Sequence, residues 1–184
     1  MTRFLFVMAL AAGAATVFGA NAPQGLGQVL DGQLRSAERE IVGLAEAMPA
    51  EKYNFRPTDG EFKNVRTFSQ QMTHIASILN AVSAGALGEK NPSEIGKEEN
   101  GPAAIKGKAA VVKYLKDAFA YAHKAASAVT SANAMDLMQS PFGSGKTSRI
   151  DLATTLLFHS FDHYGQAVVY ARMNGIVPPA SRGK

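Results

Sequence analysis

The stretch Leu152-Ala153-Thr154-Thr155-Leu156-Leu157-Phe158-His159-Ser160-Phe161-Asp162-His163-Tyr164-Gly165-Gln166-Ala167-Val168-Val169-Tyr170-Ala171-Arg172-Met173 decides how the chain is read. Stepping by four and three residues places Leu152, Leu156, His159, His163, Gln166, Tyr170 and Met173 on one stripe, the spacing of a helix that buries one face. His159 and His163 are four apart, so their rings lie one turn above each other on that face. Two imidazoles at this spacing can share one metal ion. They are also hard to explain as packing alone, because each buried imidazole without a partner costs about 1–3 kcal/mol.

Working outward, three more segments repeat apolar residues at helical spacing. The first runs from about Gly27 to Met48, with Val29, Leu30, Leu34, Ala37, Ile41, Leu44, Ala45 and Met48 as its stripe, and Pro49 stops it. The second begins at Thr67, whose spacing to Gln70 predicts a capping box, and buries Phe68, Met72, Ile75, Leu79 and Val82. His74 lies beside that stripe, aligned with Gln71 and Ile78. The third runs from about Ala103 or Lys108 to Thr130, with Val112, Leu115, Phe119, Ala122, Ala126 and Val129 inward. Between the first two, Tyr53 to Gly60 is a turn-rich connector whose aromatic residues are expected to cover one end of the core. Met135 to Ser148, with Pro141, Gly143 and Gly145, is expected to be a linker whose Thr147 or Ser148 caps the last helix. Gly175 marks that helix's end. No segment alternates at period two and no internal repeat is visible, so the expected fold is all-α, a four-helix bundle.

Composition narrows the chemistry. With 18% charged and 46% hydrophobic residues among 184, the chain is long and apolar enough for one domain with a real core. A net charge of +4 without any basic run gives no reason to expect nucleic acid as a partner. There are no cysteines, so a metal here must be held by nitrogen and oxygen. Gly143-Ser144-Gly145-Lys146-Thr147-Ser148 is similar to the end of a phosphate-binding loop, but Ser140 stands where the first glycine is needed, and nucleotide binding is not expected. Arg3 followed by an apolar run from Phe4 to Ala12 and small residues to Ala22 has the form of a secretory signal peptide, the competing reading being a retained anchor. The expected organisation is a signal peptide over residues 1–22, a bundle over 23–180 and a flexible tail over 181–184, in a protein exported to the periplasm or the exterior.

The order of these features resembles the DinB-like family over nearly all of residues 25–180. The resemblance is carried by Met48-Pro49 ending a helix, Phe55-Arg56-Pro57, a helix with a single histidine (His74), and His159-x-x-x-His163-x-Gly165-Gln166 followed by Asn174-Gly175-Ile176-Val177-Pro178-Pro179. The family commonly has tryptophan before the arginine-proline pair; here it is Phe55. The resemblance implies a bundle in which His74, His159 and His163 hold one divalent metal. Zinc, nickel and iron all accept imidazole. Three neutral ligands leave a coordination position open for a small-molecule substrate. A metal-dependent hydrolase or group transferase is expected; the other reading is a non-enzymatic binding or stress-related module with a structural metal or none. Metal binding is expected to weaken as pH falls through about 6.5. Gln166 continues the histidine stripe and is expected to orient a ligand or a bound water. Asp162 points about 100° away from His163 and is a weaker candidate for such support. His123 is expected at the boundary or surface. The outer apolar positions Ile150, Leu157 and Tyr164 suggest a second partner for the last helix, a homodimer.

Overall fold

The computed structural model describes residues 24–183, so the segment read as a signal peptide lies outside the described residues. Four helices dominate: α1 (Leu26–Ala47), α2 (Phe68–Leu87), α3 (Lys108–Ser127) and α4 (Arg149–Met173). Around the bundle, α1 packs on α3 and α4, and α2 packs on the same two, so α1 and α2 lie diagonally opposite. The connector between them therefore crosses the end of the core. Its aromatics hold it there. Tyr53 is buried and donates to the Ala45 carbonyl at 2.6 Å, and its ring meets Phe68 edge-on. Phe55 meets Tyr170 in the same way, and Tyr170 donates to the Arg66 carbonyl.

Local signals explain the helix ends. Thr67 and Gln70 form the reciprocal capping box that satisfies two free donors of α2. Gly88 ends α2 in the left-handed conformation that glycine takes without penalty. Ser148 accepts from the Asp151 N–H and caps α4, which starts three residues before the expected Leu152. At the other end, Asn174 is the cap and Gly175 the left-handed residue after it.

The segment expected to be a linker instead carries a short antiparallel hairpin, β1 (Leu137–Gln139) and β2 (Lys146–Ser148), in register Met138 to Thr147. Three residues per strand are too few for a period-two pattern to show. Further backbone bonds from Arg149 to Asp136 and from Ile150 to Ala134 fuse the hairpin to the start of α4. Apart from this hairpin the described fold is helical, as the sequence predicts.

Every residue of α2 from Gln71 to Ala84 is buried. Beyond α3 and α4, its outer side is covered by the segment between α2 and α3, where Ser77 donates to the Ile95 carbonyl, and by the hairpin, where Pro141 and Gln139 close on Gly85. A helix buried all round has no solvated face, so its residues are mostly small or apolar, and polar side chains such as Gln71, His74 and Ser77 are hydrogen-bonded inside the fold. The buried face of α4 is Leu152, Ala153, Leu156, Ser160, His163, Ala167, Tyr170 and Ala171. Gln166 and Met173, at the end of the expected stripe, are exposed. The face has rotated because α4 leans on both α1 and α2, and small residues on its inner side let both approach. Ile150, Leu157 and Tyr164 pack partly against the chain's own core; the freely exposed apolar residues of α4 are Phe158, Phe161, Val169 and Met173. No described helix is long and apolar enough to cross a membrane.

Candidate metal centre

The packing of α2 on α4 brings His74 against His159 and His163. Ring centroids are 4.5 Å apart for His74–His163 and His159–His163, and 5.0 Å for His74–His159. Each ring offers one nitrogen within 4.8 Å of the other two, and Nε2 of His74 lies 3.2 Å from Nε2 of His159. His74 and His163 are buried and His159 is half-buried.

The surroundings decide which nitrogens face inward as acceptors. His74 Nδ1 is 2.9 Å from the Glu99 backbone carbonyl. A carbonyl only accepts, so this nitrogen carries the proton and Nε2 presents a lone pair. His163 Nδ1 is 2.8 Å from Gln71 Oε1. The chain of bonds continues, with Gln71 Nε2 donating to Gln166 Oε1 at 3.0 Å and Gln166 Nε2 donating to Asp162 Oδ2 at 3.3 Å. Its polarity is set by the carboxylate at its end, which leaves His163 Nε2 unprotonated as well. His159 Nδ1 is buried with no partner, a penalty of about 1–3 kcal/mol whichever tautomer it adopts.

Two inward lone pairs and a third ring nitrogen, 3.2 Å from that of His74 and within 4.8 Å of that of His163, form a set suited to a cation. A neutral His159 can relieve only one such contact by donating its proton. A divalent ion accepts from all three, and zinc, nickel and iron take imidazole nitrogen readily. The residues present fit the metal that the sequence implies.

Electrostatics point the same way. Burial pushes His159 down to about 3, helped by His163, His74 and Arg66. Burial likewise lowers His163 to about 4, with His74 and Arg66 adding to it and Asp162 opposing. His74 is lowered mainly by burial, against the opposing bond to Glu99. Neutral imidazole, the form that binds metal, therefore persists in the folded protein well below the ordinary value of about 6.5.

A loop supplies the partner of His74. Glu98 and Glu99 both have positive φ, 54° and 60°, a conformation costing roughly 1–2 kcal/mol in a residue with a side chain. Arg66 holds this loop, donating to Asn100 Oδ1 and to the Glu98 carbonyl, each at 2.7 Å. The strain turns the Glu99 carbonyl toward His74.

Sequence reasoning placed Gln166 near the site, and it acts through Gln71 rather than on an imidazole. It missed Gln71 itself, although Gln71 shares the His74 face of α2. Arg66 and the Glu99 carbonyl left no signal, because a backbone group and a distant loop clamp have no residue pattern. Asp162 sits at the rim, its Oδ2 4.0 Å from His163 Nε2 and its side chain largely exposed. Gly165 has open space where a Cβ would stand, so no close packing inside the chain requires that glycine. His123 is separate from the centre. It lies at the boundary, as expected, and bridges α3 and α1, with Nδ1 2.6 Å from Asp31 and Nε2 3.2 Å from Glu38. Burial raises the Asp31 carboxyl, but the bonds from His123 and Arg35 outweigh it and hold the group below its ordinary value.

Comparison with curated proteins gives no match. Among solved structures, the chain is similar to a DinB-like protein from Bacillus cereus ATCC 10987, at 18% identity and a TM-score of 0.61, covering 81% of this chain and 95% of that one. At that identity the likeness bears on the fold alone. The family model of the DinB superfamily matches residues 33–167, a span that contains all three histidines, Gln71, Gln166, the whole of α2, and α4 as far as Ala167. On that match, with the bundle and its motif in place, this chain belongs to the DinB superfamily.

Proposed function

We propose that the chain is a metal-dependent enzyme, a hydrolase or group transferase, with His74, His159 and His163 as the protein ligands of one divalent ion. The observation that carries this reading is the convergence of three imidazoles, two with their outer nitrogens bonded so that Nε2 faces inward. An ion held by three neutral ligands supplies a Lewis acid with a position left for an oxygen-bearing substrate.

The chain's own groups do the rest. Gln71 and the Glu99 carbonyl fix two rings in the ligating tautomer, the role that outer hydrogen-bond partners play in metal sites. The half-buried position of His159 leaves one side of the centre reachable. Asp162, held by Gln166 beside His163, is the carboxylate placed to take or return a proton at the rim.

Export is part of the proposal, motivated by the Arg3 to Ala22 pattern. It argues against a low-molecular-weight thiol as co-substrate, since such thiols are mainly cytosolic. N-terminal sequencing of the native protein should find a start between about Ala20 and Pro23; a start at Met1 or Thr2 would refute export.

The competing reading is a non-enzymatic binding or stress-related module with a structural metal or none, and an open coordination position separates the enzyme from a structural site. Azide titrated into the cobalt-loaded full chain should shift its visible bands, and a panel of esters, amides and phosphate esters should show turnover that disappears in His159→Ala. Unmoved bands together with no turnover would favour the structural metal.

A further inference from the structure

A cavity of about 380 Å³ opens directly beside His159, within the range of small-molecule pockets, about 300–1,000 Å³. Its apolar wall is Ile78 of α2, Leu152 and Phe158 of α4, and Phe142. Phe142 belongs to the tip of the β1–β2 hairpin, which is pinned by Gln139 donating to the Gly143 and Gly145 carbonyls and by paired bonds between Ser140 and Phe142. Phe142 and Phe158 are 46% and 62% exposed, two large rings bordering one cavity and largely uncovered by the chain itself. The charged groups in the lining are Glu99 and Asp151, and no lysine or arginine contributes to it.

We propose that this cavity binds the non-reacting arm of the molecule whose head reaches the histidine centre. The arm is apolar, aromatic or aliphatic, and neutral or cationic. The inference rests on the metal-centre reading for the head and adds the substrate class. His159 ties the two together, because it is at once a member of the three-histidine set and a wall of the cavity. Phe142 and Phe158 give a ring or chain apolar surface to cover, and aromatic faces favour aromatic partners and cations. Asp151 lies about two turns along α4 from His159, so a carboxylate on the arm meets like charge at the end of the cavity away from the ion. The hairpin, besides covering α2, carries Phe142 to the mouth.

The test uses hydroxamates, which share a metal-binding head, on the cobalt-loaded full chain followed by calorimetry. Benzohydroxamate should bind about tenfold or more tighter than acetohydroxamate, the gain expected from covering one ring, and 4-carboxybenzohydroxamate should lose most of that gain. In the Phe142→Ala/Phe158→Ala variant, whose residues are exposed and whose metal content should be unchanged, the preference should vanish. In the metal-free protein, benzamide should shift the amide signals of Phe142, Thr155 and Phe158. Equal affinity for the first two hydroxamates with those signals unmoved would overturn the cavity proposal while leaving the metal centre standing. Hydroxamates that fail to bind while benzamide still shifts the signals would overturn the metal reading and leave the cavity. A preference that survives in the double variant would place the arm elsewhere and overturn the proposal.

Discussion

His74 and His159 face each other through their Nε2 atoms at 3.2 Å, and the Glu99 carbonyl forces the His74 nitrogen to be an acceptor. A protonated ring in this cluster would place a positive charge in a buried setting among two other imidazoles and near Arg66. That is why His159 and His163 are held down to about 3 and about 4.

A pH dependence of stability follows. Between the unfolded value of about 6.5 and these folded values, the unfolded chain takes up protons that the folded chain does not. The metal-free protein should therefore lose stability as pH drops from about 6.5 toward about 4, since stability rises with pH wherever the unfolded state binds more protons. Urea midpoints at pH 7 and pH 5 should show the fall, and the His159→Ala/His163→Ala variant should show a flatter profile. Equal slopes in the two proteins would contradict the assignment.

Gln71 is predicted to govern metal affinity without touching the ion. Gln71→Met keeps the volume of this buried position but removes the acceptor of His163 Nδ1. Affinity should fall roughly 10–100-fold, the usual effect of losing such a partner, with little change in helical content. Gln166→Ala, one bond further out, should have a smaller effect. Competition with a chromophoric chelator reads both.

The loop that supports His74 separates backbone from side chain. Glu99→Gly retains the carbonyl and relieves a positive φ, so metal affinity should be kept while stability rises by roughly 0.5–1 kcal/mol, the strain relief less the extra freedom of glycine when unfolded. Arg66→Ala should instead weaken metal binding by freeing the loop. Calorimetry and thermal melts on the two variants check this; a large loss of affinity in Glu99→Gly would show that its carboxylate matters.

His123→Ala should be the mirror case. It removes the bridge between Asp31 and Glu38 and leaves Asp31, 9% exposed, with Arg35 alone. A destabilisation of about 1–3 kcal/mol is expected, with metal content unchanged. Thermal melts combined with elemental analysis of this variant decide between a structural histidine and a fourth ligand.

The helices and the His159/His163 pair were legible because they follow from spacing: apolar residues at three and four, His159 and His163 one turn apart, Thr67 and Gln70 at capping distance; His74 joined them only through the family resemblance. What spacing could not show was rotation. Gln166 and Met173 lie outside the buried face of α4 because the helix leans on two neighbours rather than one. The hairpin was hidden by its length, and Phe142 with it. The boundary position of His123 was legible from its own helix but its partners were not; the carboxylates that bond it come from α1, 85 and 92 residues away. Long-range partners of this kind, with the Glu99 carbonyl the clearest case, exist only once the chain has folded.

Elemental analysis of the purified full chain by plasma mass spectrometry tests the central claim most directly. About one divalent ion per chain is predicted for the native protein, as a single shared site requires, falling to background in His74→Ala, His159→Ala and His163→Ala. Metal content in the His159→Ala/His163→Ala double variant equal to that of the native protein would contradict the account.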